Sequence, residues 1–121
     1  MKTVLLSGTG VTVEDVAAAA RRGARVKVTP AVVERLEKAR KVLDHVAASG
    51  QKIYGLNTGL GANLGTSIRD DASAFQRQLV EGRSGAVGEA LPVEIARATM
   101  FARAAMLAAG GSGISPHGFA A

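Results

Sequence analysis

Alanine sets the terms on which this chain can fold. Hydrophobic residues fill 47% of its 121 positions, yet among them are only three Phe, three Met, one Tyr and no Trp. Small side chains let helices approach closely, but each removes little area from water, at roughly 25 cal/mol per Å². The core must therefore come from helix stripes packed at short range rather than from large side chains. Stability is expected to lean on neighbours. The length suits a single domain over residues 1–121.

Glycine and proline punctuate the chain into elements. Residues 4–6 and 26–28 are short β-prone runs on either side of a helical segment. Thr12 is placed to cap that helix, with Glu14 and Asp15 in its first turn, and Gly23 stops it after about Arg22. Thr29-Pro30 predicts the next start, Thr as cap and Pro at the first helical position. Val32, Leu36, Ala39, Leu43 and Val46 then recur at three- and four-residue steps and form one buried stripe. Ala48-Ser49-Gly50 ends that helix, with Gly50 in the left-handed conformation. Gly-rich coil follows through Gly65, and Ser67 with Asp70 forms a variant capping box. A third helix turns Ala72, Phe75 and Leu79 inward until Gly82, Gly85 and Gly88 break it. Pro92 opens a last helix to about Ala109, alanine-rich around nearly its whole circumference, which predicts burial between other helices. The expected fold is mainly α, with a small β element near the N-terminus.

Charge and composition exclude several functions. The formal net charge is +5, with bases at Arg21, Arg22, Arg25 and Lys27 and again at Lys38, Arg40 and Lys41. Glu34, Glu37 and Asp44 interleave the second group, which describes a solvated helix face better than a phosphate-binding stripe. Without stacking aromatics or a recognition motif, no nucleic-acid partner is expected. No cysteine is present, so disulfides are excluded. His45 and His117 lack any ligand spacing, so no metal is expected. The longest apolar run, residues 98–109, is broken by Arg103 and too short for a bilayer. No leader pattern opens the chain, and a cytoplasmic location is expected. The run from Gly59 to Gly65 has one residue too many for a dinucleotide fingerprint and lacks a phosphate loop's Lys-Ser/Thr ending.

Chemistry concentrates in residues 54–61, Tyr-Gly-Leu-Asn-Thr-Gly-Leu-Gly, where the single tyrosine sits among three glycines and two small polar residues. A phenol can donate or accept a proton, and the glycines let the backbone turn sharply and approach a ligand. On spacing alone a Gly-rich turn with a half-buried tyrosine fits equally well.

This octet resembles the N-terminal signature of the aromatic amino acid ammonia-lyases and aminomutases, with Leu60 where the family has Phe. The similarity extends through Leu6-Ser-Gly-x-Gly, Val13-Glu-Asp-Val and Arg22-Gly-Ala upstream. Downstream it continues in Phe75-Gln-Arg-Gln-Leu-Val, Val87-Gly-Glu-Ala-Leu-Pro, Arg103-Ala-Ala-Met-Leu-Ala and Gly111-Ser-Gly-Ile. Family enzymes are several-fold longer, and their electrophile, a methylidene-imidazolone, forms from an internal Ala-Ser-Gly. The one Ala-Ser-Gly here, residues 48–50, stands just before the tyrosine loop, in the wrong place.

What the resemblance implies is a small subunit or N-terminal portion of an ammonia-lyase-like enzyme, inactive alone. Tyr54 corresponds to the tyrosine that removes a β-proton, which requires a phenolate although a free phenol titrates at about 10. Asn57 and the amides through Gly61 are the local candidates to hold substrate and stabilise that oxygen. No cofactor is expected in this chain; a complementary large chain carrying Ala-Ser-Gly would supply the electrophile in a homo- or hetero-oligomer acting on a small amino acid. Gly82-Arg83 aligns with the family's side-chain selectivity pair, and a guanidinium suits an anionic group; the alternative is an outward Arg83 paired with Glu81 or Glu89. An aminomutase component, or a non-catalytic helical assembly module, remains the other reading.

Overall fold

The computed structural model describes residues 2–63, 65 and 72–121, within which the chain forms two compact units, Met1–Leu43 with Ala90–Ala121, and Asp44–Glu89. The Ser67–Asp70 capping box falls outside the described residues.

In the first unit, β1 (Thr3–Leu6) and β2 (Arg25–Val28) pair in parallel, Thr3 opposite Arg25 and Leu6 opposite Val28. Parallel strands need a crossover, and α1 (Val13–Arg21) provides it. Thr12 caps α1 as its sequence predicts: its hydroxyl accepts from Asp15 N, and the Asp15 carboxylate accepts from Thr12 N, each at 3.2 Å. Lys2 donates to the same carboxylate, and these bonds, Lys2 first, hold the Asp15 carboxyl below its ordinary value. Val4 and Leu6 face inward with Ala18, Ala19, Ala24 and Phe101. Phe101 comes from α4 (Val93–Ala108), which packs along α1.

A second cluster unites Val32 and Leu36 of α2 (Pro30–Ala48) with Ala108. The predicted stripe holds: Val32 and Leu36 are buried, and Ala39, Leu43 and Val46 are half-buried. The predicted cap does not. Thr29 Oγ1 is buried and unpartnered among the described residues. Its backbone explains why, since Thr29 N donates to Leu6 O as a continuation of the strand, and its carbonyl, not its hydroxyl, receives Val32 N.

Two further features depart from expectation. A short α5 (Pro116–Ala120) follows α4, capped by Ser115 Oγ, and its Phe119 packs on both clusters. α4 itself is covered on one side only: Phe101 and Ala108 are buried, while Val93, Ile95, Met100 and Met106 stay exposed. α1 and the short sheet are too narrow to enclose its circumference.

Arg35 closes this unit. Its Nη1 donates to Ser7 O at 3.0 Å and to Ala108 O at 3.1 Å, placing a cation at the C-terminal end of α4 where the helix dipole favours it. Gly110, at φ +87°, lets the chain pass so close that a Cβ there would sit 2.8 Å from Arg35 Cγ. Gly110→Ala should therefore cost at least about 1–2 kcal/mol from the left-handed backbone alone, read as a lower denaturant midpoint with unchanged slope.

Candidate functional site

The octet lies in the second unit, in the loop between α2 and α3 (Ala72–Arg83). α2 ends as the sequence predicts: Ser49 Oγ donates to Val46 O at 2.7 Å, and Gly50 takes φ +77°. The backbone then turns twice on one acceptor, with Leu56 N and Asn57 N both donating to Ile53 O.

Side chains brace this turn from within. Asn57 Oδ1 accepts from Ile53 N at 2.7 Å while its Nδ2 donates to Gln51 O at 2.9 Å, an arrangement that fixes which end of the amide is which. Thr58 is 1% exposed; its hydroxyl donates to Gly59 O and accepts from Gly55 N. Gly59 is buried against Asn63, whose Cβ would lie 2.7 Å from any Cβ at that position, so only glycine closes the loop. A 3₁₀ turn over Gly61–Asn63 follows, refining the predicted coil.

Tyr54 stands out from this braced loop. The residue is 63% exposed, and its phenolic oxygen accepts from Gly61 N at 3.3 Å. The loop thus fixes the hydroxyl without covering the ring.

α3 approaches the loop through Gln76, whose Nε2 donates to Gly55 O at 2.6 Å. Phe75 and Leu79 are half-buried as expected, but the helix continues through Gly82 to Arg83. One glycine costs only about 1 kcal/mol in a helix, too little to end it a residue early. Arg83 is exposed on the last turn and lines a shallow depression with Gln76, Leu79, Val80 and Ser84. Among the described residues it makes no ion pair with Glu81 or Glu89.

The structure brings Tyr54, Asn57 and Gly61 into one loop and puts Arg83 seven residues along α3 from the helix's contact with that loop, about 10 Å at the helical rise. Thr58 and Gln76 were not singled out from sequence. Gln76, Leu79 and Arg83 do share helical spacing, but spacing alone names no partner for Gln76. Among the described residues no cluster of His, Cys, Asp or Glu could hold a metal, and no helix is long and apolar enough to cross a membrane.

A family model described as aromatic amino acid lyase matches residues 11–120. The histidine ammonia-lyase of Streptomyces griseus is 39% identical over 121 residues, covering 97% of this chain and 23% of that protein. Ergothionase from Treponema denticola, an ergothioneine-degrading enzyme, superposes with a TM-score of 0.92 at 31% identity, over 98% of this chain and 24% of that one. Tyrosine aminomutase from Streptomyces globisporus gives 0.88 at 31% identity, over 95% and 22%. The chain therefore spans about a quarter of the length of these relatives.

Asn57→Ala removes two loop bonds, each worth about 1 kcal/mol net. Hydrogen exchange at the Ile53 amide should accelerate on the order of 10- to 30-fold, with α1 unaffected. Unchanged exchange at Ile53 would show that Asn57 does not brace the turn.

Proposed function

The chain belongs to the aromatic amino acid lyase family, and from that premise we propose that it is a small subunit or N-terminal portion of an ammonia-lyase-like enzyme in which Tyr54 removes a β-proton from an amino acid. The observation that carries this reading is the fixed, uncovered phenol: Tyr54 is 63% exposed while its oxygen is held by Gly61 N. A general base must reach the proton it takes, and a ring buried in its own unit could not.

Each loop residue has a part in this. Gly61 directs its N–H at the phenolic oxygen and so holds in place the atom that would receive the proton. Asn57 shapes the turn that presents the ring, its amide largely committed to the backbone of Ile53 and Gln51. Arg83 faces the substrate side chain and favours an anionic group through a paired contact; its exposed guanidinium beside an open depression, with neither neighbouring glutamate bound to it, supports that role.

The family's methylidene-imidazolone would activate the substrate amine for departure. The Ala-Ser-Gly of this chain does not fit as its precursor, because Ser49 Oγ and Gly50 are engaged in ending α2. We assign the group to a complementary chain or region, and no step here passes through residues 48–50. The partner on this reading is that complementary part, in a homo- or hetero-oligomer. A second reading, a non-catalytic assembly module, draws on the exposed Val93, Ile95, Met100 and Met106 of α4.

With the complementary part present, Tyr54→Phe should lower turnover by about 10²–10⁴-fold while assembly persists; a rate near wild type would remove Tyr54 from proton transfer. Across acidic, aromatic and imidazole amino acids, Arg83→Leu should lower kcat/KM for the preferred anionic substrate and raise it for aromatic ones. Identical rankings in both proteins would make Arg83 a surface residue without a role in selectivity.

A further inference from the structure

Gly55 follows Tyr54 directly and takes φ +75°, a conformation open to glycine at little cost and easily lost again. A tyrosine next to such a pivot stays in place only if the pivot is held. Both polar groups of Gly55 are held: its N–H by Thr58 Oγ1 at 3.4 Å, and its carbonyl by Gln76 Nε2 at the much shorter 2.6 Å. The two restraints differ in kind. Thr58 belongs to the same loop and moves with it, whereas Gln76 is half-buried on α3, 21 residues away in sequence.

The geometry points to Gln76 as a positioning residue that locks the Gly55 pivot to α3 and thereby fixes Tyr54 relative to the helix that carries Arg83. This inference rests on the proton-removing role given to Tyr54 above. It adds a mechanical consequence. Gln76, Leu79 and Arg83 lie on one face of one rigid helix, so the group proposed to meet the substrate side chain and the group proposed to take its proton are referenced to the same body. Gln76 itself touches no reacting atom; it acts through the Gly55 carbonyl.

Two variants separate the hydrogen bond from mere space-filling. Gln76→Met keeps the length and loses the donor; Gln76→Lys keeps a donor long enough to reach Gly55 O. In the full protein with its complementary part, hydrogen exchange over residues 51–63 is measured together with steady-state kinetics. Gln76→Met should accelerate exchange in that loop about 10-fold, the loss of one net hydrogen bond, without changing α1 or α4. It should also lower kcat by about 10-fold or more with KM within about 3-fold, since misplacement of a reacting group costs rate rather than binding. Gln76→Lys should return both readings close to wild type. Unchanged loop exchange in Gln76→Met, or equal losses in the Met and Lys variants, overturns the latch. If Tyr54→Phe retains its rate, the proton-transfer reading fails by itself, and the exchange measurement still decides whether Gln76 holds the pivot.

Discussion

A ring held at its oxygen but left open to water is the constraint around which the second unit is organised. Holding it requires a turn tight enough to bring Gly61 N back to the phenol of Tyr54. Such a turn leaves backbone amides and carbonyls without regular partners, and buried polar groups without partners are costly. Asn57 and Thr58 meet that cost locally by bonding to the backbone of Gln51, Ile53, Gly55 and Gly59. Glycine at position 59 follows from the same tightness, since Asn63 occupies the space a side chain would need. The octet is therefore a single physical device rather than a set of independent residues.

The first unit solves a different problem, that of building a core from alanine. Phe101 from α4 is buried in the first cluster and Phe119 from α5 packs against both, set among Val, Leu and Ala. Arg35 bridges the edge of this core, bonding the exposed Ser7 carbonyl and the part-buried Ala108 carbonyl, the latter of which would otherwise have less access to water. The Arg21–Glu94 pair at 3.0 Å lies largely in solvent, so it adds little beside this bridge.

Local chemistry was the legible part. The cap at Thr12, the stop at Ser49-Gly50 and the Val32–Leu36 stripe are each decided within one or two helical turns, and each is where the sequence puts it. The hydroxyl of Thr29 makes no cap, while its backbone N–H extends the pairing with β1 one residue beyond the β-prone run. α5 is not legible in the sequence because Pro116, Gly118 and its five-residue length give no periodicity; Ser115 as cap is the one signal it carries. The one-sided cover of α4 depends on how much structure surrounds it, which composition cannot state. Within the site, Tyr54, Asn57 and Gly61 could be read as a group because they are neighbours in sequence. Gln76 could not, because its partner is 21 residues away and only the fold brings them together.

On the proposed function, the Tyr54 phenol meets the amino acid substrate. Incorporating 3-fluorotyrosine at position 54 of the assembled protein places a ¹⁹F reporter beside the phenolic oxygen. The resonance should shift on saturation with an amino acid substrate, and that shift should be absent with an amino acid the enzyme does not turn over. A resonance that stays fixed at saturating substrate would contradict the account, because a proton acceptor in contact with its substrate cannot keep the environment of the free site.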